Sequence, residues 1–386
     1  MQAHPSGCSG CPLDKIGKGF TDVEGSGRNG LLILGEASGE SEAVHSLPFR
    51  PFAQAGSILE RGLMSLAIDR QDCVVTNIIR CQPVNNILVG APYEIPAITA
   101  CSGYLNDVVK EYLPRVILCL GNTPLRAVTG LFGEKRTVTH LRGYVLWSSR
   151  FQLPVVATYH PAFLARGKKN LLGVFYQDIY KALSIARGDV VAGVDYYINP
   201  RSAYQRDYKI WDHNVWPPSF EELGILPSDT ISFDIETDYS EAVDEDDLRV
   251  EGTRITQFQY STGKGNARVF EWADGPTKDL IRKIMATPNK KISWNGWRFD
   301  EPILNDNGIH IAGEHHDLMN MYHHWNPDIP ANLQYASSLF GFPFPWKHLA
   351  GEDLSFYGAC DVDALHWIHE PLVNVMKGEG IYGSDN

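Results

Sequence analysis

The chain has 386 residues, of which 44% are hydrophobic and 21% are charged, as in ordinary globular proteins. Its length allows two domains, each with a core of its own. No apolar run reaches the roughly 20 residues that a membrane helix needs, and the first residues lack the basic and apolar regions of a signal peptide. We therefore expect an intracellular, cytoplasmic protein with no membrane partner.

The formal net charge of −12 is divided unevenly along the chain. Residues 1–187 carry 19 basic and 14 acidic side chains (+5), and the remainder carries 15 basic and 32 acidic ones (−17). This division does not fit a uniform nucleic-acid coat. It does not exclude DNA as a substrate, because an enzyme that places divalent cations against phosphate needs carboxylates.

Short apolar strands alternate with amphipathic helices through the first half. The expected order is strand 31–34, helix 54–67, strand 73–77, helix 98–109, strand 116–120, helix 123–131, strand 155–157 and helix 171–186. Such alternation predicts an α/β domain with a doubly wound parallel sheet. Polar side chains follow the strands, where folds of this class keep their chemistry: Glu36, Asn77, Asn122 and His160.

The alternation of strands and helices stops over 188–225, where aromatic residues and prolines indicate an ordered connector. Beyond it we expect a strand at 230–234, a hairpin at 254–272, a strand at 291–294, and helices at 298–307, 318–325, 333–340 and 358–376. The predicted organisation is a first domain at 1–187, a connector at 188–225 and a second, mixed-sheet α/β domain at 226–386.

The turn after the first strand carries acidic residues between glycines. Gly35 and Gly39 allow a sharp turn, and Glu36, Glu40 and Glu42 stand where a phosphate-binding loop would carry a lysine. A phosphate cradle is therefore not expected here.

The seven cysteines are scattered, which argues against a disulfide framework. Cys8 and Cys11 form a CxxC in a glycine-rich start. Buried, small apolar roles are expected for the cysteines in apolar segments, which are Cys73, Cys119 and Cys360.

The segment 35–42, followed by Pro48 and Phe49, resembles the opening motif of family 4 uracil-DNA glycosylases. Further matching motifs follow in order at 76–83, in the helix that carries Cys101, and at 118–122, 141–143 and 158–164. The resemblance covers residues 8 to about 186. It implies a substrate of uracil-containing DNA, whose target base is turned out of the stack into a pocket.

The resemblance assigns roles to three residues of the pocket. Phe49 would stack on uracil, although Phe52 competes with it, since extra residues follow the motif. Asn77 would pair with O4 and N3, and His160 would donate to O2 as charge develops on the leaving base. The alternatives are a turn asparagine and a helix-capping histidine.

Glu36 and Glu42 match the acidic positions of the family motif, and one of them would orient the water or offset the charge on the sugar. Ala37 stands where better-known uracil glycosylases carry an aspartate, and Ser38 replaces a usual proline. The residues after the His-Pro turn would fill the vacated stack as DNA contacts, or would pack a helix start: Phe163, Leu164 and Arg166.

The resemblance also implies that four cysteines hold a [4Fe–4S] cluster: Cys8, Cys11, Cys81 and Cys101. Zinc bound by four cysteines is the alternative, because the thiolate count does not decide between them. The interval between Cys81 and Cys101 is longer than the family pattern.

The second half carries a different acidic pattern. Asp234 and Glu236 are two residues apart and so share one face of a strand. Asp300 follows an Asn-Gly-Trp-Arg-Phe sequence, and Tyr357 and Asp361 lie one helical turn apart. This set resembles the DEDD-type 3′–5′ exonuclease domain of family A DNA polymerases, with its ribonuclease-H-like fold. It implies that the carboxylates hold two Mg²⁺ or Mn²⁺ ions and that Tyr357 holds the attacking water.

Together the motifs predict a bifunctional enzyme that excises uracil from DNA and removes nucleotides from single-stranded 3′ ends. A phage-type DNA polymerase chain is the expected partner, and the host cytoplasm the location if a phage encodes the protein. The alternative is an exonuclease whose first domain senses uracil, binds DNA or docks a polymerase without catalysis.

Overall fold

The structure, a computed structural model, describes residues 1–133, 136–189, 206–212, 216–238 and 253–379. The chain divides into two compact units, Met1–Ala203 and Tyr204–Asn386. Each unit has its own sheet and core. In the described part of the chain, no helix is both long enough and apolar enough to cross a membrane.

The first unit is built on a five-stranded sheet in the order β2-β1-β3-β5-β4. The strands are β1 (Leu31–Ala37), β2 (Val74–Ile79), β3 (Val116–Leu120), β4 (Val145–Ser148) and β5 (Leu153–Thr158). β1, β2, β3 and β5 pair in parallel, and β4 joins β5 antiparallel. β2 and β3 are buried along their whole length, which explains their continuous apolar sequences.

Helices connect these strands. They are α1 (Glu40–His45), α2 (Gln54–Ser65), α3 (Glu94–Tyr112), α4 (Asn122–Thr129), α5 (Val138–Leu141), α6 (Pro161–Ala165) and α7 (Leu172–Arg187). The chain runs from β1 to β2 on one side and then crosses to β3 on the other side of β1. Right-handed crossovers in opposite directions place helices on both faces, so the doubly wound prediction is confirmed.

The second unit contains a six-stranded mixed sheet in the order β11-β10-β7-β8-β9-β6. The strands are β6 (Asp207–Trp211), β7 (Thr230–Thr237), β8 (Ile255–Gly263), β9 (Asn266–Glu271), β10 (Lys290–Ser293) and β11 (His315–Asp317). β7, β8 and β9 form an antiparallel meander, and the other neighbours pair in parallel. The mixed-sheet prediction is therefore confirmed.

The helices of the second unit are α8 (Pro276–Met285), α9 (Asp300–Asp306), α10 (Leu318–Trp325), α11 (Leu333–Leu339) and α12 (Leu354–Gly378). α12 packs on β7, β8 and β9. Its central part is buried, with apolar and acidic side chains alike facing the sheet. Two carboxylates of the predicted second site thus belong to the middle of the sheet, and a third comes from the helix across it.

Part of the stretch expected to be a connector belongs to the second sheet. β6 pairs in parallel with β9, and Trp211 stacks on Phe270 with ring centroids 4.9 Å apart. The Tyr208 hydroxyl donates to Asp363 of α12. Of the described aromatic residues of this stretch, Tyr208 and Trp211 are sheet residues, whereas Phe220 lies outside the strands and Trp216 is 79% exposed. The remaining part of the predicted connector at 190–205 and 213–215 lies outside the described residues.

Candidate active sites

The pocket of the first unit forms around a glycine in β1. A Cβ at Gly35 would lie 2.1 Å from Oδ1 of Asn77 and 2.5 Å from the tip of the Phe49 ring. Asn77 is the register partner of Gly35 on β2, and Phe49 adopts a left-handed backbone conformation with φ 44°. A side chain at position 35 would separate the amide from the ring. Glycine is therefore required for both groups to meet over the strand.

Glu42 holds both of these residues. One of its carboxylate oxygens accepts from the Phe49 backbone N–H at 2.6 Å and from Asn77 Nδ2 at 3.2 Å. The other accepts from the Gly39 backbone N–H at 2.6 Å, which closes a capping box at the start of α1. All of these donors are backbone or pocket groups, so the Glu42 carboxylate is used to position the pocket.

Asn77 is 2% exposed, and its Oδ1 has no hydrogen-bond partner among the described residues. A buried acceptor without a donor costs about 1–3 kcal/mol. Its amide nitrogen is already bound to Glu42, so the side chain offers an acceptor to the pocket. A ligand N–H placed over Gly35 would satisfy it.

His160 lies at the start of α6 with its tautomer determined by the backbone. Its Nδ1 accepts from the Ala162 N–H at 3.1 Å, so Nδ1 carries the lone pair and Nε2 carries the proton. Burial lowers the pKa of His160 to about 4, and the positive charge of Arg166 acts in the same direction. Its ring centroid is 5.9 Å from that of Phe49. At neutral pH the ring is therefore an uncharged donor beside the pocket.

A cleft of about 320 Å³ adjoins His160 and is lined by residues at the carboxyl ends of β1, β3 and β5. Glu36 comes from β1 and accepts from the Thr123 hydroxyl at 2.7 Å. Gly121 follows β3, where its φ of 100° brings the backbone close to the His160 Cβ. The cleft lies where the strand order reverses, the usual ligand position in sheets of this kind.

The residues after the His-Pro turn are in three different environments. Phe163 is exposed at the cleft and stacks on Tyr159, with ring centroids 5.5 Å apart. Arg166 is exposed, whereas Leu164 is fully buried. The expectation that Leu164 contacts DNA does not hold, because α6 turns this side chain into the core. Phe52 is 70% exposed and packs on His45, which leaves Phe49 as the pocket ring.

Four cysteines surround one small cavity of the first unit: Cys8, Cys11, Cys81 and Cys101. All are free thiols. Burial raises the pKa of Cys81 to about 12, and the other three thiols add to this by their proximity. A Cβ at Gly17 would lie 3.1 Å from Cys81 Sγ, so glycine keeps the loop close to the sulfur. The four cysteines thus line a common space and are candidate thiolate ligands of a metal centre, although among the described residues no three of their sulfurs lie within 4.8 Å of one another.

The predicted acidic site of the second unit is assembled in the structure. Ligand oxygens of Asp234, Glu236 and Asp361 lie within 4.8 Å of one another. Burial raises the pKa of Asp234 well above its ordinary value, and the charges of Asp300, Glu236 and Asp361 act in the same direction. Burial and Asp361 likewise raise the pKa of Glu236 to about 8. Such a crowded set of buried carboxyls favours a bound cation.

Asp300 completes the acidic set from α9. Its Oδ1 accepts from the Ile235 backbone N–H, between the two acidic residues of β7, at 2.9 Å. Burial raises its pKa to about 7, against backbone hydrogen bonds that lower it. The preceding turn is held by Asp317, whose carboxylate accepts from the backbone N–H groups of Asn295 and Trp297 at 3.1 Å each.

A lysine lies inside this acidic site. Lys347 Nζ donates to both oxygens of Asp361, at 2.7 and 2.8 Å, and to the Tyr357 hydroxyl at 2.7 Å. Trp346 Nε1 donates to the same carboxylate at 2.7 Å. Burial would lower the pKa of Lys347, but Asp361 and Tyr357 outweigh it and raise the pKa. The ammonium group supplies the positive charge that this corner of the site needs.

Comparison with known proteins identifies the first unit. The model of the uracil DNA glycosylase superfamily matches residues 24–184. The type-4 uracil-DNA glycosylase of Pyrobaculum aerophilum is 33% identical over 175 residues, which is 45% of this chain and 86% of that protein. The type-4 enzyme of Thermotoga maritima is 31% identical over 182 residues, which is 47% of this chain and 90% of that protein.

The chain belongs to the uracil-DNA glycosylase superfamily, in its type-4 branch. The resemblance of residues 8 to about 186 to family 4 uracil-DNA glycosylases is therefore confirmed. The match ends at residue 184, so the second unit is additional to the glycosylase region.

Solved structures with some similarity are nucleases. Brucella melitensis NrnC with bound Mg²⁺ is 20% identical, with a TM-score of 0.35, and covers 46% of this chain and 85% of its own. Escherichia coli RNase D is 14% identical, with a TM-score of 0.35, and covers 45% of this chain and 46% of its own. TM-scores below 0.5 do not establish a common fold, so the chemistry of the second unit depends on its own residues.

The type-4 glycosylase unit and the acidic unit both contain residues that sequence reasoning did not single out. Thr123 holds Glu36, and Lys347 and Trp346 hold Asp361. Gln259, on β8, donates to Asp234 at 2.6 Å and faces Gly358, where a Cβ would lie 2.8 Å from its amide nitrogen. A glutamine in the middle of an apolar strand and a lysine before the last helix were the available signals.

Proposed function

We propose that the first unit hydrolyses the N-glycosidic bond of uracil in DNA. The observation that carries the proposal is that Phe49 and Asn77 meet at Gly35, with the His160 ring 5.9 Å from that of Phe49: a ring, an unsatisfied acceptor and a neutral imidazole donor. Uracil has a flat ring, an N3–H donor and carbonyl acceptors, so each group of the pocket has a counterpart on the base.

Each side chain has a defined task in this mechanism. Phe49 stacks on the extruded base, and Asn77 Oδ1 accepts from N3–H. Cytosine has no proton at N3, so it would leave the buried Asn77 oxygen unsatisfied. His160 donates its Nε2–H to O2 and stabilises the negative charge that develops as the bond to the sugar breaks.

Glu36 is the carboxylate placed for the water or for the positive charge on the sugar. It is half-buried at the cleft, where Thr123 orients it. Glu42, by contrast, uses both oxygens to hold Phe49, Asn77 and Gly39, so we assign it a positioning role. Of Glu36 and Glu42, Glu36 is therefore the catalytic candidate.

We propose that Cys8, Cys11, Cys81 and Cys101, which line one cavity, hold a [4Fe–4S] cluster. In this position a cluster would fasten the amino-terminal segment to the loop after β2. The absorbance spectrum of freshly purified protein tests this: a brown colour with a band at about 400 nm is expected. A colourless protein that contains zinc would overturn the iron–sulfur assignment, and Cys73→Ser is the control that leaves the spectrum unchanged.

For the second unit we propose 3′–5′ exonuclease activity on DNA. Its support is the group of Asp234, Glu236 and Asp361, with Asp300 beside them and Tyr357 within hydrogen-bond distance of Lys347. Carboxylate oxygens suit Mg²⁺ or Mn²⁺, which when bound activate water and stabilise the leaving oxygen of a phosphodiester. Tyr357 would orient the attacking water. Lys347, which donates hydrogen bonds to both Asp361 and Tyr357, would keep these two side chains in position relative to each other. A separate DNA polymerase chain as the partner of this activity is part of the same proposal.

Two assays separate the activities. Single-stranded DNA with one uracil, treated with protein and then alkali, should break at the uracil. DNA labelled at its 5′ end should shorten stepwise from the 3′ end when Mg²⁺ or Mn²⁺ is added. Binding of uracil-DNA without alkali-labile sites would overturn the glycosylase proposal in favour of a sensing module. Cleavage within the strand, without stepwise shortening, would overturn the exonuclease proposal.

A further inference from the structure

An uncharged loop of the first unit lies beside the cleft at His160. Residues 82–93, which we call the apolar loop, lie between β2 and α3 and contain no acidic or basic side chain. Two of its aliphatic side chains are exposed: Ile87 is 55% and Val89 is 56% exposed. Leu88 between them is 2% exposed, so it anchors the loop in the core. The mechanism proposed for uracil excision uses none of these loop residues.

Hydrogen bonds order the backbone of the apolar loop. Tyr93 Oη donates to the Ile87 carbonyl at 2.5 Å, and the Gly90 backbone N–H donates to Glu94 Oε2 at 2.7 Å. Because the loop is already ordered, Ile87 and Val89 can contact a ligand with little further loss of conformational entropy. Their exposure is therefore a feature that the loop maintains.

The apolar loop is continuous with the glycosylase cleft. Val89 lines this cleft together with Glu36, His160 and Phe163. Phe163, on α6, is 37% exposed, so apolar side chains from the loop and from α6 both border the cleft. Apolar and aromatic surfaces of this kind can pack against the face of a base, but they offer nothing to a phosphate. The ligand at this border is therefore expected to be a nucleobase.

A cation without a partner lies in the same cleft. Arg126, on α4, lines the cleft, and its Nε is buried without a hydrogen-bond partner among the described residues. A buried donor that is left unpaired is unfavourable, so an acceptor from a ligand is expected here. Phosphate oxygens are acceptors to which a guanidinium group is well suited. The cleft and the apolar loop thus offer one group for a phosphate and several for a base, which are two parts of a nucleotide.

The composition of the apolar loop distinguishes single-stranded from duplex DNA. In a duplex the bases are paired and stacked, so the outer surface presented to a loop is mainly phosphate and sugar. In a single strand, the faces of the bases next to an extruded nucleotide are free to pack on exposed side chains. A loop without basic residues cannot bind a second strand through its phosphates. It is therefore matched to unpaired bases.

We propose that the apolar loop and the adjoining cleft bind the nucleotide next to the extruded uridine in single-stranded DNA. Ile87 and Val89 pack on its base, and Arg126 binds its phosphate. The proposal rests on the glycosylase function proposed above and adds to it a preference for unpaired DNA. The exposed aliphatic side chains are the basis of that preference.

DNA that cannot be cleaved allows binding to be measured separately from catalysis. A strand with 2′-fluoro-deoxyuridine in place of deoxyuridine resists excision, because fluorine disfavours the positive charge that develops on the sugar. Fluorescence anisotropy of such a strand, labelled at one end, gives the Kd for the full chain. The same strand annealed to its complement gives the Kd for duplex DNA.

Loss of the two aliphatic side chains tests the proposal. The double variant Ile87→Ser with Val89→Ser should bind the single strand about tenfold more weakly, and the duplex less than about twofold more weakly. Leu113→Ser is the matched control: this residue is 75% exposed at the other end of α3, a helix of 19 residues and hence about 28 Å long. The control should change neither Kd. Circular dichroism confirms that each variant is folded.

Removing bases from the DNA gives a coupled measurement. Single strands whose nucleotides on both sides of the uracil analogue lack a base should bind the unchanged protein more weakly than intact strands do. They should bind the double variant about as well as intact strands do, because the contact is already lost. Losses that add independently would show that the apolar loop does not contact these bases, and would overturn the proposal.

A salt titration tests the phosphate contact. Arg126→Gln should reduce the slope of log Kd against log salt concentration by about 0.7, the contribution of one phosphate contact in a single strand. Arg187→Gln, at an exposed arginine that ends α7, is the control and should leave the slope unchanged. An unchanged slope in Arg126→Gln would remove this residue from the nucleotide site.

Failure of this inference is distinguishable from failure of the glycosylase proposal. If the binding results are as expected but natural uracil-DNA gains no alkali-labile sites, the catalytic proposal is wrong and the binding site stands. Equal affinity of the unchanged protein and the folded double variant for the single strand overturns the inference. If light scattering then shows a dimer for the unchanged protein and a monomer for the double variant, the apolar loop pairs two copies of the chain instead.

Discussion

The two candidate active sites handle buried polar groups in opposite ways. The glycosylase pocket uses neutral groups whose orientation is fixed by the backbone: His160 Nδ1 accepts from Ala162, and Asn77 is held by Glu42. The acidic site of the second unit instead gathers carboxyls whose pKa values burial and mutual repulsion raise. The groups of the glycosylase pocket are therefore already oriented without a ligand, whereas the carboxyls of the acidic site favour the binding of a cation.

The difference follows from the substrates proposed for the two units. Uracil is a neutral base, so a pocket that reads it needs donors and acceptors of fixed direction with little net charge. A phosphodiester is an anion, and its cleavage requires positive charge between protein and phosphate. The neutral pocket should therefore be insensitive to metal ions and to pH near neutrality, and the acidic site sensitive to both. The following experiments test this contrast.

The largest expected effect is the separation of the two activities by Asp234→Asn. Loss of this carboxylate removes metal-dependent stabilisation worth several kcal/mol, so exonuclease rate should fall by about 10³-fold or more. Uracil excision by the same protein should not change. A parallel loss of excision, with the fold intact by circular dichroism, would show that the two sites are not independent.

His160→Leu, which has no side-chain donor, should lower uracil excision by about 10²–10³-fold, the usual cost of one donor to a developing oxyanion. The loss should appear in kcat more than in KM, because the donor acts mainly on the leaving base. Exonuclease activity serves as the internal control. An unchanged excision rate in single-turnover measurements would remove His160 from the mechanism.

Lys347→Met removes the ammonium group from Asp361, whose side chain is 5% exposed. Leaving a buried charge without its partner should lower the free energy of unfolding by about 3 kcal/mol. Mn²⁺ should restore much of this stability, because it supplies the missing positive charge. Lys278→Met, which breaks an ion pair with the 86% exposed Asp274, is the control and should cost no more than about 1 kcal/mol. Denaturant unfolding of the unchanged protein and of both variants, with and without Mn²⁺, measures the six free energies of unfolding. A loss in Lys347→Met that Mn²⁺ does not reduce would contradict the idea.

The pH dependence of metal binding follows from the raised pKa values of Glu236, about 8, and Asp300, about 7. Below these pH values the carboxyls bind protons that a metal ion must displace. Mn²⁺ affinity should therefore fall as pH falls from about 8 to about 6, by about tenfold per pH unit for each proton released. Calorimetry in buffers of different ionisation enthalpy counts those protons. Uracil excision should show no ionisation of His160 over the same range, because its pKa is about 4.

Glu42→Gln should have the smallest effect. An amide offers one acceptor oxygen where the carboxylate has two, so one of the three donors it serves is left unsatisfied, at a cost of about 1 kcal/mol. The expected result is a modest drop in thermal stability and weaker uracil binding, with the chemical step little changed. A collapse of single-turnover excision to the level of His160→Leu would assign Glu42 a catalytic role instead.

Secondary structure and candidate residues were largely predictable where the signal is local. Continuous apolar runs predicted β1, β2, β3 and β5, because strands of a parallel sheet are buried on both faces. The short antiparallel β4 was missed, and so was α8. β6 was hidden in the predicted connector because, as an edge strand, it is only partly buried and lacks a continuous apolar run.

Most residues of the candidate sites were predictable from the sequence, but the contacts between their side chains were not. Spacing placed Asp234 and Glu236 on one strand face, and motif order brought in Asp300 and Asp361. The lysine within the acidic site was not predicted: its place before the last helix was the available signal, but only the tertiary structure shows that Lys347 reaches Asp361. The choice of Phe49 over Phe52 also depended on burial.

The sequence by itself determined two α/β units, the membership of the first in a glycosylase superfamily, and the identity of most groups at each site. These depend on periodicity and on residues close together in the chain. The tertiary structure decided which nitrogen of His160 carries the proton, that Glu42 positions and Glu36 faces the cleft, that Leu164 is core, and that Val89 lines the cleft. The His160 tautomer depends on a contact with Ala162, two residues along the chain, which forms only because α6 begins at His160. The others depend on how segments pack in three dimensions, and no local sequence pattern records that packing.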